Sequence, residues 1–336
     1  MNRRRAILVF FAALAVAALA WWRFGRPPEV AAIAAQTGTA VEIVYATGGV
    51  EPVRWAKVAS LVRDRIIDVC DCEGRQVAKG DVLAKLDDRE AQAQLQELRA
   101  REDFLKRELE RVTELMARGA STTQAFERAS MDIRQVQALI RVQMEKINEY
   151  VIVSPMDGVV LRRDGQIGEI AEVGQVLFRV GEPKPLQVVA EVNEEDIPRV
   201  AVGQTVLFRT DAFRERRLEG KVREITPMGD VVAKTYRIKI ALPEDTPLIP
   251  GMSVEANVIT REKENALLVP ADAVQGSNVF IIDGSRVRKR EVKIGIRGTR
   301  QVEILSGVSA GERVASPAAT SLRDGSHVRV VQAAIP

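Results

Sequence analysis

Between Asp81 and Ser154 the chain holds no proline and a single glycine, Gly119. Apolar residues in that stretch recur at Ala91, Leu95, Leu98, Leu105, Leu109, Val112 and Met116, with Glu102 as the one missed beat. Beyond Gly119 the same spacing resumes at Phe126, Ala129, Ile133, Val136, Ile140 and Ile147, with Gln143 as the missed beat. Steps of three and four predict two long amphipathic helices. A heptad seam on one chain can mean a parallel homodimer, but a breaker between two seams favours an antiparallel hairpin in which each stripe buries the other. With the turn centred near residue 121, Glu102 and Gln143 are expected to share one polar layer.

On both sides of this stretch the period changes to two. Short apolar runs punctuated by Gly74 and Gly80 precede the helices; Pro155, Gly158, Gly165, Gly168, Gly174 and Gly181 separate short strands after them. The glycines at 165, 168 and 174 are turns rather than a dinucleotide loop, because no helix follows them. After Pro183-Lys184-Pro185 a second β region begins at Leu186, Val188, Ala190 and Val192, with a short helical piece at "NEEDIPRV". Strands this short with turns this frequent predict a small barrel. A last β unit runs from Leu267, with an Asp283-Gly284 hairpin turn.

Two segments, "EGRQVAKGDVLAKLDD" (73–88) and "YVIVSPMDGVV" (150–160), look like the halves of one biotinyl or lipoyl carrier sandwich, although about sixty residues separate them. An antiparallel hairpin returns the chain to its start, so residues near 85 and 152 are expected to be neighbours. The carrier lysine is missing from its place, where Asp87, Asp88, Arg89 and Glu90 stand instead; Lys79 and Lys85 fall before the turn and are read as solvent-facing. No biotin, lipoate or other cofactor is expected.

Charge and composition remove further classes. The formal net charge is +3, yet five arginines and no acids lie in the first 26 residues, which leaves 44 basic against 46 acidic residues in the body. That balance excludes nucleic acid as a partner. The arginines flank Ile7 to Trp22, sixteen residues without a charge, spanning roughly 24 Å as a helix. The segment is either a membrane anchor or a signal peptide cleaved after Ala18-Leu19-Ala20; both readings export the remainder. His327 is the only histidine, so Ser-His-Asp and Cys-His catalysis and a His-based metal site cannot be built. Cys70 and Cys72 are the only cysteines. Two positions apart in a strand they suit a disulfide poorly, and packed thiols are expected.

This arrangement resembles the periplasmic adaptor (membrane fusion protein, HlyD-like) family of tripartite efflux systems. The sandwich halves, "LQVVAEVNEEDIPRVAVGQTVLFRTDAF" with "PLIPGMSVEANV", and "LLVPADAV" with "REVKIG…VEILSGVSAGERV" carry the resemblance. It implies a mostly β fold with an inserted α-helical coiled-coil hairpin, made of a split lipoyl/biotinyl-type sandwich, a β-barrel and a membrane-proximal β domain. The expected boundaries are 1–26 for the N-terminal segment, 27–54 for a linker and first strands, 55–87 and 151–183 for the sandwich halves, 88–150 for the hairpin, 184–262 for the barrel and 263–336 for the membrane-proximal domain.

The resemblance also implies a non-enzymatic adaptor between an inner-membrane transporter, of resistance-nodulation-division (RND) or ATP-binding-cassette (ABC) type, and an outer-membrane channel. It further implies a ring of about six copies, held to the inner membrane and facing the periplasm. In "RVTELMARGASTTQAFERA", Arg111, Leu115 and Thr122 fall at the positions that contact the outer-membrane duct, with Thr replacing Ser and Ser121 available in a shifted register. In the turn Asp164 to Glu169, Gln166 is the candidate for narrowing the ring's channel. The family's glycine before "RDRIIDV" is Asp64 here, a residue that tolerates left-handed backbone. Alternatives from other classes are an exported coiled-coil scaffold without a transporter and a carrier-domain component of an enzyme.

Overall fold

A computed structural model describes residues 28–318 and 322–331. The N-terminal segment, with its anchor or signal reading, lies outside the described residues. The chain divides into two units. Among the described residues, one comprises Val50–Gln187 and Leu242–Met252; the other takes 28–49, Val188–Ala241 and those from Ser253 onward.

In the first unit, two helices interrupt a sandwich. The outgoing helix is Arg89–Ala117 and the returning helix Thr123–Asn148. Their contact face is the seam read from the sequence: Ala91, Leu95 and Val112 are buried on one leg, Ala129, Val136 and Gln143 on the other. The expected polar layer divides in two. Glu102 accepts from Gln137 Nε2 at 3.0 Å, whereas Gln143 Nε2 donates to the Ala91 carbonyl at 2.9 Å. Each missed beat is thus satisfied at its own level of the hairpin, as burial of polar groups requires.

The sandwich consists of two four-stranded sheets. In one the order is Trp55–Ala59, Val176–Gly181, Gly158–Arg163, Gln76–Val77; in the other it is Val151–Val153, Val82–Leu86, Asp64–Val69, Ile170–Ala171. Both sheets draw strands from both halves of the sequence, and Ile66, Leu83, Leu86, Val160, Leu177 and Phe178 pack between them. Residues near 85 and 152 are neighbours: Ala84 pairs with Ile152 and Lys85 with Val151.

The halves repeat each other at a constant offset of 94 residues, and their hydrogen bonds are reciprocal. Gly80 donates to the Ser154 carbonyl at 2.8 Å, and Gly174 to the Ser60 carbonyl at 2.9 Å. Gly74 donates to Val160 and Gly168 to Ile66, both at 2.8 Å. The buried hydroxyls of Ser60 and Ser154 donate at 2.6 Å to the carbonyls of Val62 and Met156. An approximate two-fold axis therefore exchanges the sheets. Glycine is required at both copies of two turns, where φ is +76° and +93° at Gly74 and Gly80 and +91° and +82° at Gly168 and Gly174.

Two local expectations are corrected. Position 64 is no turn: Asp64 begins a strand and pairs with Ala171, so no left-handed backbone is needed. Cys70 and Cys72 are joined in a disulfide rather than left as thiols in a strand. The strand ends at Val69, and the chain then turns, bringing the two Cα atoms to 5.2 Å. Two extended residues would span roughly 6.6 Å.

In the second unit, the strands Thr205–Arg209, Leu218–Ile225, Thr235–Ala241, Leu186–Asn193, Gln36–Pro52 and Ser253–Pro270 follow one another around a barrel. Pairing of Thr205–Arg209 with Ser253–Pro270 closes it. The "NEEDIPRV" segment contributes a single 3₁₀ turn, Ile197–Arg199. Gln36–Pro52 and Ser253–Pro270 are 17 and 18 residues long, and the latter continues to pair with Gln301–Ser306 beyond the barrel. A further sheet joins Glu29–Ala34, Asn278–Asp283, Arg286–Glu291 and Arg313–Ser316, with Gly284 at φ +62° in the hairpin turn.

Candidate functional site at the hairpin tip

The turn between the helices is a built structure. Gly119, at φ +71°, donates to the Met116 carbonyl at 2.9 Å, and Ala120 donates to the Leu115 carbonyl at 2.8 Å. This pair of bonds closes the outgoing helix as a Schellman motif, which needs a residue without Cβ strain at the left-handed position. Thr122 starts the returning helix: its backbone is extended and its hydroxyl accepts from the Ala125 amide at 3.1 Å. Substituting the cap would cost about 1 kcal/mol of helix stability.

Arg111 and Leu115 stand one turn apart on the last part of the outgoing helix, Arg111 exposed and Leu115 half-buried. Arg111 is bound by Glu108, with Nε to Oε2 at 3.0 Å and Nη2 to Oε1 at 2.5 Å. That pairing raises the guanidinium pKa above its ordinary value and lowers that of Glu108. An exposed pair of this kind contributes at most ~1 kcal/mol, so the arginine can exchange Glu108 for another carboxylate at low cost. At ~1.5 Å per residue the tip stands roughly 40 Å along the helix from the sandwich.

Gln166 belongs elsewhere, on an exposed turn of the sandwich in which its amide donates to Glu169 Oε2 at 3.2 Å. The 94-residue offset makes Gln166 the counterpart of Cys72, and Asp164 that of Cys70. The counterpart turns are tied alike, since Cys70 donates to the Leu83 carbonyl and Asp164 to the Leu177 carbonyl, both at 2.8 Å. Where a carrier domain would present its lysine, the chain passes from Leu86 through Asp87 and Asp88 directly into the outgoing helix.

Three domain families match consecutive parts of the chain: a CzcB-like barrel-sandwich hybrid domain over residues 54–182, a CusB-like β-barrel domain over 186–262, and the C-terminal permuted SH3 domain of RND membrane fusion proteins over 265–316. The nickel-cobalt-cadmium resistance protein NccB of Alcaligenes xylosoxydans xylosoxydans is 30% identical, across 78% of this chain and 70% of its own length. This chain belongs to the periplasmic adaptor, or membrane fusion protein, family. The adaptor is also 28% identical to the multidrug resistance protein MdtA of Yersinia pseudotuberculosis, over 91% of this chain and 77% of that one. Among solved structures it resembles a MacA–MexA chimera that contains the Pseudomonas aeruginosa MexA α-hairpin, at 25% identity and a TM-score of 0.61, with 83% and 98% of the two chains covered.

Sequence reasoning about the adaptor missed Gln137 as the partner of Glu102, because Gln137 lies one position past the apolar beat at Val136. It also missed the paired roles of Ser60 and Ser154. Sliding the sequence against itself would have found them, since Ser60, Gly74, Gly80 and Leu83 recur as Ser154, Gly168, Gly174 and Leu177.

Proposed function

We propose that this adaptor couples an inner-membrane transporter to an outer-membrane channel, with Arg111, Leu115 and Thr122 at the hairpin tip meeting the channel. The observation that supports it most is the pairing of Ala84 and Lys85 with Ile152 and Val151, which makes the helices a projection from one sandwich rather than a link between two domains. A projection roughly 40 Å long, ending in a rigid capped turn, is suited to docking at a distance. Two of the matching domain families are adaptors of RND type by description, which favours an RND transporter as partner. Such an adaptor acts on no bond of the cargo.

In this reading about six copies form a ring. The hairpins present alternating charge, twelve acids and eleven bases between Asp88 and Glu149, to their neighbours. Each exposed pair contributes ~0–1 kcal/mol, so the ring depends on many weak contacts and on the partners. Residues 1–26 hold the chain to the inner membrane, and the turn at Gln166 narrows the passage. The test is Leu115→Asp, which places a charge on the tip without disturbing a fully buried site. Export of drug or metal from cells carrying this variant is expected to fall to the level of cells lacking the adaptor, with the protein still folded and in the periplasm. Wild-type export would remove the tip assignment.

A further inference from the structure

The two sheets of the sandwich are related by the approximate axis, yet their outer faces differ in charge. In the sheet that begins with Trp55–Ala59, Lys57 pairs with Arg179 and Arg179 with Arg162, so three cations stand in a row across three adjacent strands. Their counterparts 94 residues away are Val151, Lys85 and Asp68, which also pair with one another in a row. That row carries no net charge.

Like charges placed directly opposite one another on a sheet are destabilising, so a fold does not select such a row for its own stability. Asp164 offsets it in part, accepting from Arg162 Nε at 2.5 Å and lying 3.7 Å from Arg179. Lys57 stands 5.8 Å from the centre of the Trp55 ring. The row borders a cleft of about 450 Å³ whose other walls are Trp55, Leu161, Pro52 and Pro250. Trp55 and Leu161 close over Gly181, where an added Cβ would lie 2.6 Å from Trp55 Cβ and 3.1 Å from Leu161 Cδ1. The cleft volume falls within the roughly 300–1,000 Å³ of small-molecule sites. Glu51, the acid on its rim, accepts a hydrogen bond from Gln187 at 3.1 Å.

We propose that this cleft binds an amphipathic organic anion, its flat apolar body against Trp55 and Leu161 and its acid group against Lys57, Arg179 and Arg162. The aromatic and proline walls exclude water from one side, which strengthens the ion contacts on the other. This inference goes beyond the coupling role and does not depend on the hairpin tip.

The experiment is calorimetric titration of the full-length protein in lipid nanodiscs, with empty nanodiscs as blank. The probes are naphthalene-1-sulfonate and its neutral analogue 1-naphthylmethanol. The sulfonate is expected to bind one per chain, and the neutral alcohol at least tenfold more weakly. Lys57→Gln combined with Arg179→Gln is expected to weaken the sulfonate at least tenfold, and Lys57→Gln alone, at an exposed position that leaves folding intact, about threefold. Lys85→Gln removes a charge from the counterpart row and is expected to leave the affinity unchanged. Equal binding of both probes, unchanged affinity in the Lys57 variant, or an equal loss in Lys85→Gln would each overturn the assignment.

Discussion

The two halves of the sandwich, 55–86 and 151–181, are nearly the same backbone used twice. What matches between them is what the fold demands: the buried serines that turn the chain, the left-handed glycines at 74, 80, 168 and 174, and the buried Leu83 and Leu177. What differs lies chiefly at exposed or terminal positions, with Phe178 against Ala84 as the exception in the core. The first half carries a disulfide where the second has Asp164 and Gln166, Asp68 and Lys85 where the second has Arg162 and Arg179, and a helical excursion where the second half simply continues. Symmetry thus separates residues kept for structure from residues free to acquire a role, a distinction that one copy alone could not provide.

The largest expected departure lies in the core, where the match is imperfect. Phe178 is fully buried and its counterpart is Ala84, so the sandwich centre is filled from one side. Phe178→Ala is expected to cost about 3–5 kcal/mol, because no neighbour at the Ala84 position can refill the space. Amide hydrogen exchange along Val176–Gly181 would report it. A loss below ~1 kcal/mol would mean that the two halves share the load equally.

Next in size are the serines. Ser60→Ala and Ser154→Ala each remove a buried hydroxyl donor and leave a carbonyl without that partner, at an expected cost of about 1–2 kcal/mol. The symmetry argument requires the two costs to agree. Unequal costs, read from exchange in the two sheets, would show that one half is held chiefly by the helices beside it.

These differences also explain what the sequence disclosed. The hairpin was legible because its signal is local: seam residues three and four apart lie on one face whatever the rest of the chain does. Its return was legible because Gly119 is a lone breaker between two seams. The repeat in the sandwich was not, since the matching residues are few and spread over 94 positions, and the reciprocal bonds run through the backbone. The disulfide was missed because its geometry depends on where a strand stops. Val69 gives no sign that it is the last strand residue, and an extended Cys70 to Cys72 would have kept the sulfurs apart. The cationic row was hidden for the same reason as the polar layers, because Lys57, Arg162 and Arg179 meet only through strand register. Arg111, Leu115 and Thr122 stand out only through the family resemblance, which is also the source of the role proposed for them. Thr122 as the helix cap was readable from its place before "TQAF" but was not drawn out.

The smallest effect concerns the point where the halves diverge. Asp87 is the counterpart of Gly181, and there the first half leaves the sheet to begin the outgoing helix. Its carboxylate accepts from the Arg89 amide at 3.2 Å and from Arg89 Nε at 2.8 Å, and this arginine holds the pKa down from 3.8 to about 2. A carboxyl group whose folded pKa lies below its unfolded one stabilises the folded form at neutral pH, and that stabilisation fades between about pH 4 and pH 2. Asp87→Asn should therefore raise amide exchange in the first turn of the outgoing helix at pH 6, and the excess over wild type should disappear near pH 2. Gly181 has no ionisable side chain, so the strand end there should show no such pH step. An excess that persists unchanged at pH 2 would mean that Asp87 acts through its shape rather than its charge, and that the departure of the helices from the sheet is fixed by packing alone.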